Sequence, residues 1–525
     1  MFSTIRKYAC IWDVAVALIC FLFVLINLPF LNLPYFWDEA WVYAPAVFDM
    51  FENGPSLSPN SIDPELSRGH PILFHFLAVC WMTMFGTSFS AVHAFSVFLS
   101  VLLIWVVYKL GSQVASKQVG FWSAAIFALQ PIFIQQAGFL LPEVQLSLFV
   151  ALTILFYLQK RYWLFILSAT AMLLTKETGI LILAMIGFLE LFQFSKDRDF
   201  SKKRVFEFLS VGVPVVLTSV YYLVQYNQFG WFMFPEHMSM FDTDPEVWRH
   251  KRELVFSTVF GEQQRPILLG VALASASLAW QSGPRILRVL FGFIGITFLT
   301  MEGTGSWLPN WYYYWVFPAV IIVATIWLAT FFSKHDSKNH LFFPLVGLVC
   351  LALILFTSAH FVIGRYLLLL IPLVIICAVS IFNLATKKSA FLFNVGMLSL
   401  GLMFYHLANK ADARMNNSDN MKYVNQIQLI QESIVYLENN VSLDSCISGT
   451  FIVQQALQNP VQGYRNTDKL PSCIDNAITP ATDYVLTLSF NNDNGALAAV
   501  ESDSAFAKIW ESKKGIHFAR IYGRE

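Results

Sequence analysis

Charge is what this 525-residue chain is short of: only 13% of its residues are Asp, Glu, Lys or Arg, against about a quarter in soluble domains. The 34 acidic and 34 basic side chains cancel. No basic stripe or base-stacking motif stands out, which argues against nucleic acid as a partner. There is no His-Glu-x-x-His, phosphate loop, dinucleotide fingerprint or Gly-x-Ser-x-Gly, so four common catalytic designs lack their signatures. Cysteine is sparse too. Cys10, Cys20, Cys80, Cys350 and Cys377 lie in or beside apolar runs and read as core thiols. Cys446 and Cys473 lie in a polar C-terminal stretch, in a spacing that matches no zinc ligand set. If that stretch is extracytoplasmic, a disulfide between them is the natural reading.

What fills the space left by charge is apolar. Hydrophobic residues make up 56% and aromatics 16% of the chain, the composition of a polytopic membrane protein. Arg6 and Lys7 precede a first apolar run at about 11–31, too long for a signal-peptide core, which reads as a retained anchor. Segments near the ~20 residues needed to cross a bilayer follow at roughly 90–108, 119–135, 143–158, 162–175, 179–194, 205–226, 266–281, 286–301, 311–332, 342–358, 366–384 and 390–408. Alternate loops between them carry the basic residues, among them Lys109, Lys117, Lys160, Arg161, Lys202, Lys203, Arg285, Lys334 and Lys387. The positive-inside rule therefore gives about thirteen helices with a cytoplasmic N-terminus. The short run 71–86 becomes an interfacial or re-entrant helix on the outer face.

This layout puts a first loop (32–89), a second loop (227–265) and the tail (409–525) outside. Within the tail, Val424, Ile427, Ile430, Ile434 and Leu437 recur at helical spacing. Strand-like runs follow at 446–448, 484–489, 506–510 and 517–522, the last two joined by a hairpin turn at Ser512–Gly515. The expectation is a helical membrane catalytic domain over 1–408 and a small extracytoplasmic α/β domain after it.

Polar residues of unusual kind gather on the outer side. Asp38 and Glu39 stand among Phe36, Trp37 and Trp41 just after the first span. Arg68 and His70 precede the interfacial helix; Glu143 opens the fourth span; Lys176 and Glu177 lie between two spans; Glu236 and His237 lie in the second loop; Arg365 and Tyr366 open the twelfth span. Acids at the lipid boundary are expensive without a task. Sugar transfer from a lipid-linked phosphate suits such a set. A carboxylate takes the acceptor proton, cations neutralise the departing phosphate, and the lipid tail needs only an apolar groove. Lys176 and Glu177 also admit a plainer reading, as an interfacial ion pair.

With these motifs in this order, the chain resembles GT-C superfamily glycosyltransferases of the family 39 type. That type includes protein O-mannosyltransferases and the aminoarabinose transferases that modify lipid A. The resemblance implies a GT-C-like membrane fold and a polyprenyl-phosphate-sugar donor. It implies a glycan, lipid or protein acceptor and a divalent metal as the one candidate cofactor. By the same resemblance Asp38 is the acid implicated in catalysis or metal binding, with Glu39 its partner and Glu143 its nearest rival for either task. Arg68, His70, Lys176 and Arg365 fall to the donor phosphate, His70 standing where aminoarabinose transferases carry Lys. Trp37, Glu236, His237 and Tyr366 are candidate substrate contacts. The competing readings are a transporter or lipid flippase, whose inverted repeats and midplane breaks the sequence does not display, and a lipid-linked glycan ligase or polymerase.

Overall fold

Leu-, Ile-, Val- and Phe-rich runs can satisfy their backbone in lipid only as helices or closed barrels, and here they are helices. The computed structural model describes residues 2–279, 285–301, 341–386, 389–409, 423–442, 444–465, 473–490 and 494–525. Every expected span within them is helical, for example Phe2–Asn27, Phe89–Val114, Pro142–Leu158, Tyr162–Thr175, Gly179–Asp197, Lys202–Phe229 and Phe342–Ala359. The expected span 311–332 lies outside the described residues.

The expected count of thirteen is not confirmed by helix length. Among the described residues six helical segments are long and apolar enough to cross a membrane, and seven if a bent pair counts as one. Tyr162–Thr175 has 14 residues, which at 1.5 Å each reaches about 21 Å of a roughly 30 Å hydrocarbon layer. The chain is thus a multi-pass membrane protein whose individual crossings vary in reach. On the first helix Ile11, Val14, Leu18 and Phe21 are each more than half exposed, a face that only lipid or a partner would cover.

Two expected spans are interrupted, and both interruptions build the site. The run 119–135 splits into Lys117–Ala128 and Pro131–Ala137. Pro131 lacks an N–H and pushes Gln130 into an extended conformation (ψ 123°). The chain then turns by 113° into Pro142–Leu158. The run 366–384 opens as a 3₁₀ segment, Gly364–Leu370, before the α-helix Ile371–Ala385.

In the tail the helix Tyr423–Asn440 precedes a five-stranded sheet of β1 (Cys446–Gly449), β2 (Cys473–Asp475), β3 (Tyr484–Leu488), β4 (Phe506–Lys514) and β5 (His517–Arg524), ordered β2-β1-β3-β5-β4. β1 lies parallel to β2 and β3, and the β4–β5 hairpin closes at Gly515 with φ +62°. Cys446 and Cys473 are register partners on β1 and β2 and form a disulfide. One apolar core runs from the membrane helices into the tail, taking in Phe139, Tyr423, Ile427, Ile430 and Tyr464.

Candidate active site

The segment after the first helix is irregular by sequence. Pro34 precedes an aromatic run, and Trp37 takes a left-handed φ of +49°, unusual for a bulky side chain. Residues Glu39–Tyr43 form a single π-helical turn, a wide turn often found at functional sites. These two features send neighbouring acids in opposite directions. Asp38 lines a cavity of about 520 Å³. Glu39 is fully buried and does not line it.

Glu39 is held from three sides. Its Oε1 accepts from the Leu140 N–H (2.6 Å) and contacts His93 Nε2 (2.9 Å), while its Oε2 accepts from the Phe36 N–H (3.2 Å). The other ring nitrogen of His93, Nδ1, faces the Leu31 carbonyl at 2.9 Å. That carbonyl can only accept, so Nδ1 carries a proton. Nε2 and Glu39 Oε1 share a second proton across their 2.9 Å contact. The pair is a buried histidine–carboxyl hydrogen bond.

The cavity brings together elements far apart in sequence. Arg365, from the 3₁₀ segment, donates through Nη2 to Asp38 Oδ2 and stands with Nε 3.6 Å from Glu143 Oε1. Lys176 Nζ is 3.0 Å from the same Glu143 oxygen and 3.6 Å from the centre of the Tyr366 ring. Glu143 itself is buried at 2% exposure and does not line the cavity. It sits behind the two cations and holds both, and its Oε2 has no hydrogen-bond partner.

A second set completes the polar wall. Arg68 lies 4.3 Å over the Trp41 ring, with Glu236 at 3.9 Å. His70 Nδ1 is 3.0 Å from Glu177, and its ring centre is 4.9 Å from that of His237. The left-handed pair Arg68 (φ +49°) and Gly69 (φ +69°) sets both side chains. A Cβ at Gly69 would also come within 2.7 Å of Trp231, so only glycine fits there. Lys176 and Glu177 do not pair with each other as the plainer reading expected. Extended backbone at Lys176 (φ −158°) sends it to Glu143 and its neighbour to His70. Phe234, Met240, Leu353, Phe356 and Phe361 add an apolar lining to the same cavity.

Burial raises the Glu177 carboxyl, but the His70 charge and hydrogen bond outweigh it and bring it down to about 2. Burial lowers the His237 imidazole, and the nearby His70 lowers it further, to about 4. A histidine that starts near 6.5 unfolded and titrates near 4 folded binds its proton more tightly in the unfolded chain. Its contribution to stability is therefore complete above pH 6.5 and lost as pH falls towards 4. The expected result is a melting temperature in detergent that declines between pH 6.5 and 4, with a shallower decline in His237→Gln. Equal slopes in the two proteins would refute this assignment.

Asp38 and Glu143 were the expected metal ligands. Among the described residues no group of three His, Cys, Asp or Glu side chains is placed to hold a cation. Arg365 stands between these two carboxylates, and Lys176 already occupies Glu143. In this structure both carboxylates face side-chain cations. Sequence reasoning passed over His93, the hidden partner of Glu39, and His360, which lines the cavity. A lone histidine in an apolar helix gives no signal of the acid it meets.

The sequence model of the family described as dolichyl-phosphate-mannose-protein mannosyltransferase matches residues 69–222. The chain resembles GT-C-type glycosyltransferases. The matched segment carries His70, Glu143 and Lys176, whereas Asp38, Arg68 and Arg365 lie outside it. No curated protein matches the chain. Among solved structures, ArnT from Cupriavidus metallidurans bound to undecaprenyl phosphate is similar at 13% identity over 98% of each chain, with a TM-score of 0.40. The Archaeoglobus fulgidus oligosaccharyltransferase in its apo form gives 12% identity over 91% of this chain and 69% of its own, at 0.43. The S. cerevisiae protein O-mannosyltransferase Pmt1-Pmt2 complex bound to the sugar donor gives 16% over 46% and 36%, at 0.33. Likeness this distant assigns no residue a role.

Proposed function

We propose that this chain is an integral membrane glycosyltransferase that moves one sugar from a polyprenyl-phosphate donor to a hydroxyl or phosphate of an extracytoplasmic acceptor, with inversion. The observation that carries the reading is the meeting of Asp38 with Arg365 in one cavity, with Lys176 beside them. In the reaction an acceptor oxygen attacks the anomeric carbon while the bond from that carbon to the phosphate oxygen breaks. The acceptor proton passes to the Asp38 carboxylate, and the electron pair leaves with the polyprenyl phosphate. Arg365 and Lys176 neutralise that phosphate, with His70 and Arg68 as further cations in the same lining. The apolar lining suits the first isoprene units, and Trp37, Tyr366, His237 and Glu236 suit the sugar and acceptor. We place the chain in the plasma (inner) membrane, and the basic-loop alternation supports the site and tail lying on the extracytoplasmic side.

The ion pairs imply an order of events. Arg365 serves Asp38 until a phosphate competes for it. Arg365 Nε and Glu143 Oε2, both without hydrogen-bond partners, can then close on each other as Nη2 turns to the donor. Asp38 is left free to act as base only when donor is bound.

The test is reconstitution in proteoliposomes with polyprenyl-phosphate sugars and an envelope fraction, read by mass spectrometry. A gain of one sugar mass on a defined acceptor, with release of free polyprenyl phosphate, is the expected result. Uptake of a labelled solute with no transfer to any acceptor would replace this reading with transport. In the same assay Lys176→Met is expected to raise the donor KM by on the order of ten-fold or more, because a charged contact contributes about 1.5–3 kcal/mol. An unchanged KM would remove Lys176 from the phosphate.

A further inference from the structure

The turn that carries Asp38 is held from outside by the tail. Gln462 is buried at 2% exposure, although it lies more than four hundred residues along the chain from that turn. Its side-chain amide donates to the Ala40 carbonyl (3.1 Å), and its main-chain carbonyl accepts from the Tyr35 N–H (3.1 Å). One residue thus brackets the turn two positions after Asp38 and three before it. Other tail side chains pack around the same turn. Tyr423 stacks on Phe36 with ring centres 6.5 Å apart, and Phe451 meets Trp41 edge-on at 5.4 Å.

The turn needs such support, because Trp37 sits in a left-handed conformation that persists only where its surroundings over-determine it. The bracket is itself fixed. Asn459 Oδ1 accepts from the Val461 N–H and caps the short turn Pro460–Gln462. The following Gly463 (φ +87°) presses on Phe89 so closely that a Cβ would lie 2.4 Å from that ring. We propose that the tail is a clamp on the candidate active site and that Gln462 is a positioning residue, holding the Trp37–Ala40 turn so that Asp38 faces the cavity.

This inference rests on Asp38 being the base, and its test separates the two claims. Full-length Gln462→Met keeps the volume and removes the bond to Ala40. The expected result is turnover reduced on the order of ten- to a hundred-fold, the scale of a small misplacement of a reacting group. The donor KM is unchanged, and amide exchange is faster in peptides covering residues 33–42. Asn459→Ala loosens the bracket without touching Gln462 and is expected to give a smaller effect of the same kind, which keeps the test open if Gln462→Met fails to fold. Lower melting temperature with full turnover per folded molecule would reduce Gln462 to a structural contact and overturn the proposal. So would unchanged exchange over residues 33–42. Absence of any transfer by the unmodified protein would overturn the transferase reading instead, while the exchange measurement would still decide whether the clamp exists.

Discussion

Replacing Asp38 by asparagine is expected to leave a folded protein that transfers sugar at least ~10²-fold more slowly, the lower end of what a positioned general base contributes. Asparagine keeps the shape and still accepts a hydrogen bond from Arg365, so the turn and its bracket stay in place. What is lost is the site that receives the acceptor proton. The same substitution is expected to do something less obvious to binding. Arg365 is tied to Asp38 by a charge-assisted bond, and a donor phosphate has to compete with that carboxylate. With a neutral partner the guanidinium is easier to win, so polyprenyl phosphate is expected to bind Asp38→Asn several-fold more tightly while turnover collapses. Transfer assays and lipid binding in nanodiscs measure the two effects separately. Full activity would remove Asp38 as base. Weakened phosphate binding would show that Asp38 and the donor do not compete for Arg365.

How this arrangement was written in the sequence differs from residue to residue. Helices were legible because lipid leaves the backbone few alternatives. The hairpin at Gly515 and the helix beginning at Tyr423 followed from turn chemistry and periodicity. The break at Pro131 was present in the sequence, but a hydropathy run carries across it. β2, only three residues long, has no pattern of its own; it is placed by its parallel pairing and the disulfide at Cys473. At the site, residue types near the ends of the apolar runs identified the candidate cations, and the cavity gathers Asp38, Arg68, His70, Lys176 and Arg365. Their pairing was not legible. Lys176 and Glu177 are adjacent, yet one meets Glu143 and the other His70, a choice made by backbone direction and not by spacing. The bracket by Gln462 spans almost the entire chain, and nothing local announces it.

The largest stability effect is expected at the other half of the acid pair. Glu39→Ala would leave His93 Nε2 and the Leu140 and Phe36 N–H groups without their shared partner, at buried positions. A buried polar group left unsatisfied costs about 1–3 kcal/mol, so three together take a large fraction of the ~5–15 kcal/mol that holds a domain folded. The expected outcome is a steep fall in melting temperature and in monodisperse yield from detergent. Asp38→Asn, one residue away, should show neither. Removing both partners provides the control. In Glu39→Leu/His93→Phe the stranded imidazole is gone and two apolar side chains fill the volume, so part of the lost stability returns. Recovery stays incomplete, because the two backbone N–H groups are still unpaired. A double variant no more stable than Glu39→Ala would mean that the bond to His93 is not what Glu39 contributes. Recovery as expected would define the division of labour between the neighbours. Glu39 is buried to fix where the turn lies, and that placement leaves Asp38 exposed to the cavity, where a carboxylate can take a proton.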